Sequence, residues 1–174
     1  MVVLGAATVQ ARRIADRVAV ALSNAHLLEE LKKLNWGTLI ALARAIDAKS
    51  PWTAGHSERA AEMAVQIGRM MGVSGKKLDD LRCGALLHDI GKLRMSTSLL
   101  DKSGPLTPEE KLEVRDHPRR GARILEPIEA YAGAIPVVAQ HHEWWDGSGY
   151  PYGLAGEEVD LLARIYAVAD VFDA

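Results

Sequence analysis

The sequence predicts an all-α fold, and three observations carry that expectation. Aromatic residues make up only 5% of the 174, stretches that alternate apolar and polar residues are scarce, and Ala and Leu recur at helical spacing. A hydrophobic content of 48% with 25% charged residues is the balance of a globular chain with a core, which excludes a disordered tail or a collagen-like polymer. The length suits one domain, or one domain with an extension.

Charge and targeting signals narrow the function classes. A formal net charge of −2 excludes a broad basic footprint for a DNA or RNA polymer or for an anionic membrane, while a local positive pocket could still take a small phosphorylated ligand. Cys83 is the single cysteine and cannot form an internal disulfide. No apolar run approaches the ~18 residues of a membrane helix. The apolar stretch 1–9 is short, lacks a basic lead and runs into Arg12 and Arg13 rather than a small-residue cleavage site. A cytoplasmic, reducing location is the expectation.

The elements follow in order. Residues 8–47 read as helix, with Ile14, Val18, Ala21, Ala25 and Leu28 spaced four, three, four and three apart, a seam that predicts a parallel homodimer. The register then shifts to Leu27, Leu31 and Leu34 and weakens at Asn35-Trp36-Gly37, which predicts a hinge between a connecting helix, residues 1–37, and a domain over 38–174. Beyond the Ser50-Pro51 break, residues 55–71 form a helix stopped by Gly72, and Ser74 is placed to cap another that runs through Leu87 and delivers His88 and Asp89. Thr107-Pro108-Glu109-Glu110 combines a cap, proline at the first helical position and glutamate three after the cap, so a short helix follows. Residues 134–142 read as helix, 146–156 as a loop with four glycines and one proline, and 158–174 as helix again.

Five of the six histidines fall in suggestive places: His56 at a helix start, His88 before Asp89, His117 before Pro118, and the pair His141-His142; His26 stands apart. Neutral imidazoles and a carboxylate able to bridge are what two divalent transition metals want. Asp170, on an otherwise apolar helix, completes such a set, because a buried charge needs compensation. Singly, each has a bland reading: His56 as a cap, His117 in a turn, a buried histidine satisfied by hydrogen bonds, Asp170 as a cap partner. Their joint presence with Gly91-Lys92, where glycine permits an abrupt helix end and lysine can face a phosphate, favours a site.

His88-Asp89-Ile90-Gly91-Lys92 resembles the signature of HD phosphohydrolases, and the run from His141 through Gly149-Tyr150-Pro151 resembles the mark of their HD-GYP branch. The resemblance covers residues 38–174 and implies an all-α, HD-type helical bundle that hydrolyses cyclic di-GMP to pGpG, and on to GMP, in bacterial signalling. It implies metal ligation by His56, His88, Asp89, His117, His141, His142 and Asp170, with Asp89 bridging, and Lys92 on the phosphate. Gly149, Tyr150 and Pro151 would shape a loop around a guanine base or a partner surface, with Trp144 and Trp145 packed beneath it. The cofactors implied are two divalent ions, iron or manganese before zinc or nickel. Cyclic di-GMP and a diguanylate cyclase or other signalling protein are the implied partners. The segment around His26 resembles the last helix of a GAF sensor domain running into a signalling coiled coil.

Departures from the pattern matter too. Trp52 stands where some members carry a glutamate for a third metal, so two ions are expected. Ser96 and Trp144 replace a usual proline and a common basic residue, altering the substrate rim. The sequence stops four residues after Asp170, before an Arg-Pro-Tyr-Arg-like segment of the family, so a chain truncated at its C-terminus is expected. Two rival readings follow: a catalytically impaired regulatory module that binds a nucleotide or a partner, and an HD hydrolase of another nucleotide.

Overall fold

The structure, a computed structural model, describes residues 2–50 and 53–174, with side chains described from residue 10 onward. Trp52, on which the expectation of two rather than three ions rested, lies outside the described residues. Every regular element among the described residues is a helix, and no described helix is long and apolar enough to cross a membrane.

The chain divides into two units, residues 1–38 and 39–174. Helix α1, Val2–Asp47, enters both. In the first unit residues 10–35 of the helix are exposed: Ile14, Val18 and Leu28 keep 57%, 50% and 60% of their surface. The helix runs unbroken through Asn35-Trp36-Gly37, so the hinge expected there is not a break in secondary structure. The weakened pattern instead marks the change to a stripe of buried residues, Leu39, Ala43 and Ile46, spaced four and three apart.

The second unit is built on short helices around one core. Helix α2, His56–Met70, buries its small face, Ala60, Ala61, Ala64 and Gly68, against α3, Gly75–Leu87. Small residues let the axes approach: a Cβ on Gly68 would lie 2.9 Å from Leu81. Ser74 occupies the cap position of α3 but its side chain makes no capping bond; Gly75, at φ +56°, turns the chain in its place. A 3₁₀ turn, Ile90–Arg94, and α4, Thr97–Leu100, follow. Lys49 pins that turn by donating to the carbonyls of Lys92, Leu93 and Met95 at 2.7–2.9 Å.

Helix α5, Pro108–Arg115, begins with the full capping box: Glu110 N–H donates to Thr107 Oγ1 at 3.2 Å, and Thr107 N–H to Glu110 Oε2 at 2.7 Å. Helix α6, His117–Leu125, starts at once, with Pro118 in its first turn rather than in a connecting turn. Then come α7, Ile135–Gln140, and α8, Leu161–Asp173, capped by Asp160 accepting from Leu162 N–H at 2.8 Å. Helix α8 packs on α2, α3 and α7, and α6 packs on α7 and on the 3₁₀ turn. Leu39, Leu81, Leu87, Leu125, Val137, Val138 and Tyr166 are buried at the centre. Each contributes about 1.5–3 kcal/mol of burial free energy.

Candidate metal centre

All seven residues singled out as ligands come together, most of them at helix ends. His56 opens α2 behind Gly55, whose φ of +70° turns the chain into it. His88 and Asp89 follow α3, His117 opens α6 directly after α5, His141 and His142 follow α7, and Asp170 lies on α8. Ring centroids are 5.1 Å apart for His88 and His141, 5.2 Å for His117 and His141, and 5.7 Å for His56 and His88. His26 lies far outside this group in sequence, on the exposed part of α1.

Helix C-termini explain how three of the rings are held. The last carbonyls of a helix lack an intrahelical partner. His88 Nδ1 donates to Ala85 O at 2.9 Å, His117 Nδ1 to Val114 O at 2.7 Å, and His141 Nδ1 to Val138 O at 2.9 Å, each to the third residue back. With Nδ1 bonded to a carbonyl, the neutral form of each ring turns an Nε2 lone pair inward. The Nε2 atoms of His117 and His141 then face each other at 3.1 Å. Asp89 Oδ1 is buried and accepts no hydrogen bond, although His117 Nε2 lies 3.2 Å away, because that nitrogen offers a lone pair and not a proton. Acceptors converging in this way fit a cation. Three sets, His56–His88–Asp170, His88–Asp89–His141 and His117–His141–His142, each bring their ligand atoms within 4.8 Å of one another.

The electrostatics agree with that fit. Burial lowers His142 to about 4 and takes His141 well below the ordinary histidine value, so both rings are neutral near pH 7. Burial works to raise Asp89, but the charge of His88, then that of Lys92, holds it well below the usual carboxylate range. Asp170 is likewise lowered against its burial, chiefly by its hydrogen bond with His56. His56 bonds through Nε2 to Asp170 at 3.0 Å and through Nδ1 to Asp173 at 2.8 Å, and is raised to about 9, first by the bond to Asp170. Lys92 Nζ donates to Asp89 Oδ2 at 2.6 Å, so it is an ion-pair partner within the cluster and not a solvated helix-end lysine. A cavity of about 370 Å³ opens beside these groups, lined by Thr53, His56, Arg59, Lys92, His142 and Asp170 among others.

Two expectations change at the periphery. Gly91 has no positive φ, so an abrupt helix end is not its purpose. A Cβ there would fall 2.0 Å from His117 O and 2.8 Å from Gly121 N; glycine lets the turn after Asp89 touch the start of α6. Gly149 serves similarly, with a Cβ position 2.3 Å from Trp144 N, which lets Tyr150 N–H reach His142 O at 3.0 Å and the Tyr150 ring stack on His142 at 4.7 Å. Pro151 O accepts from Arg119. Trp144 and Trp145 do not pack beneath this loop: they are 61% and 64% exposed, and the buried Glu143 holds it instead, accepting from Tyr152 N–H at 2.6 Å and Leu154 N–H at 3.0 Å.

Sequence reasoning missed Tyr166, Arg59 and Asp173. The fully buried Tyr166 hydroxyl lies 2.8 Å from His88 Nδ1 and donates to Asp170 Oδ1 at 3.3 Å. Burial raises its pKa well above the ordinary value and keeps it a neutral donor. The available signal was helical spacing, since Tyr166 and Asp173 share a face with Asp170 at four before and three after.

Residues 41–174 match the family model described as HD domain. The chain belongs to the HD-domain family. Its run from His141 to Pro151 is the HD-GYP form of that domain. The chain is 43% identical over 134 residues to a 3'3'-cGAMP-specific phosphodiesterase of Vibrio cholerae, covering 77% of this chain and 29% of the relative. It is 39% identical over 150 residues to the cyclic di-GMP phosphodiesterase response regulator RpfG of Xanthomonas campestris, covering 84% and 39% respectively. Among solved structures, Bd1817, an HDGYP protein from Bdellovibrio bacteriovorus, matches 68% of this chain and 39% of its own at a TM-score of 0.59 and 28% identity. This HD domain thus spans about a third of the length of these relatives.

Proposed function

We propose that this HD domain is a phosphodiesterase that hydrolyses cyclic di-GMP to pGpG, with slower passage to GMP, and that it works with two divalent transition-metal ions. The observation that carries the reading is the convergence of Nε2 lone pairs around the buried, hydrogen-bond-free Asp89 Oδ1 at the floor of an open cavity. His56, His88, Asp89, His117, His141, His142 and Asp170 would hold the ions, with Asp89 shared; when bound, the ions supply Lewis acidity toward a phosphodiester. Iron or manganese is favoured, and zinc or nickel also suits mixed imidazole and carboxylate ligands.

The chain's own groups do the rest. Asp89 keeps its negative charge because Lys92 compensates it. Lys92, on the cavity wall, brings a positive donor toward a non-bridging phosphate oxygen. Gly149, Tyr150 and Pro151 form the rim on which a guanine base rests, with Tyr150 already stacked on His142. The cytoplasm is the compartment that holds this substrate, a diguanylate cyclase the partner that would supply it, and the exposed seam of α1 the surface through which the chain dimerises. A second substrate, 3'3'-cGAMP, is favoured by the 43% identity to a phosphodiesterase specific for it.

The test is turnover by the full chain, reconstituted anaerobically with iron(II) or manganese(II) and offered both cyclic dinucleotides, with products resolved by chromatography. Metal-dependent pGpG, lost in His88→Ala, is expected. Two bound ions without turnover of either substrate would make the domain a nucleotide-binding regulatory module instead.

A further inference from the structure

His56 is held differently from His88, His117 and His141. His88, His117 and His141 each follow the end of a helix and find a free carbonyl three residues back. His56 instead opens α2, directly behind the left-handed Gly55. Its Nδ1 is taken by a side chain from across the α2–α8 contact, Asp173 Oδ2 at 2.8 Å. Asp173 is in turn gripped by a fork: Arg59 Nε donates to Oδ1 and Arg59 Nη2 to Oδ2, both at 2.9 Å. The third guanidinium nitrogen, Nη1, donates to Ala54 O at 3.0 Å, tying the fork to the residues that lead into α2. His56 and Arg59 are three apart on α2, and Asp170 and Asp173 three apart on α8, so the two pairs interlock on facing helical faces.

We propose that Asp173, braced by Arg59, is a positioning residue that fixes His56 with Nε2 toward the metal centre and sets the affinity of the His56–His88–Asp170 position selectively. A carboxylate behind a ligating imidazole settles which nitrogen carries the proton, orients the ring and makes it a stronger donor. The His117–His141–His142 position relies on backbone carbonyls at His117 and His141 and does not depend on Asp173. This inference rests on the metal-centre reading above.

The experiment is equilibrium dialysis of the full chain against manganese(II), with bound metal per chain measured by mass spectrometry and folding followed by circular dichroism. The wild-type chain is expected to bind two ions. Asp173→Ala should weaken one of them by about 10–100-fold and spare the other. Asp173→Asn keeps an acceptor for Nδ1–H but loses the charge, and should fall between the two; Arg59→Gln should shift the same ion more mildly. Should Asp173→Ala fail to fold, the Asn and Gln variants decide alone: selective weakening of one ion supports the assignment. Wild-type affinity for both ions in these variants, or equal weakening of both, overturns it. A wild-type chain that binds no manganese would overturn the metal-centre reading itself, and the inference with it, which distinguishes the two failures.

Discussion

His56 and His142 make opposite demands on protons, and the metal-free domain must satisfy both. His56, raised to about 9 by Asp170 and Asp173, stabilises the fold while it is charged. That contribution is full below the unfolded histidine value near 6.5 and is lost as pH rises through about 9. His88, raised by Asp89 against its burial, acts in the same direction. His142, lowered to about 4 by burial, is stable only when neutral, so its cost appears as pH falls from about 6.5 toward 4. Buried His141 adds to that acid limb. Chelator-treated protein should therefore show its highest thermal midpoint near pH 6.5, with a decline on both sides. His56→Gln should flatten the alkaline side and leave the acid side; an unchanged alkaline decline in that variant would refute the role given to His56. Metal uptake requires the neutral ring and releases its proton, so manganese binding should strengthen as pH rises from 6.5 toward 9.

Helices α3 and α7 carry the two halves of the cluster, His88-Asp89 and His141-His142, and their separation sets its dimensions. Gly84 is where they touch: a Cβ there would lie 2.5 Å from Val137 Cβ and 2.8 Å from Ala134 O. Gly84→Ala should destabilise the fold by about 1–3 kcal/mol through overpacking. It should also lower bound metal, because α7 must move away from α3. A urea midpoint and metal content both unchanged would show that the contact is not the spacer inferred. Elements of this kind differ in how far the sequence exposes them. The capping box of α5 and the amphipathic run of α2 are legible because local bonds and helical period decide them. Helix α6 was hidden because it abuts α5 at Asp116-His117 with no glycine between, so Pro118 read as a turn when it is a first-turn proline. The seven converging residues were legible through their joint presence with Gly91-Lys92 and through the resemblance to the HD-GYP pattern, since each alone has an ordinary reading. Tyr166, Arg59 and Asp173 were not, since each is an ordinary helical residue until a facing helix brings it to the ring it orients. Gly91 and Gly149 reveal their purpose only through backbone from elsewhere in the chain.

Among the described side chains of the unit spanning residues 1–38 none is buried, so its exposed seam is the surface on which a dimer is expected. Ile14, Ala21 and Leu28 fall at one seam position of a heptad, Val18 and Ala25 at the other, and all five are exposed. The next positions in that register are Lys32 and Asn35, so the seam lasts about two heptads before the stripe passes to Leu27, Leu31 and Leu34. Two of the five positions are alanine, which buries little. A dimer formed through a seam this short would be concentration-dependent, not constitutive. Light scattering of the full chain should accordingly rise from the 18.9 kDa of one chain toward twice that value as concentration increases. Val18→Glu places like charges face to face in a parallel pair and should hold the chain monomeric, with metal content unchanged because no cluster residue lies on this unit. A full chain that stays monomeric throughout that range would remove the dimer, and an unaltered equilibrium in Val18→Glu would move its interface away from the α1 seam.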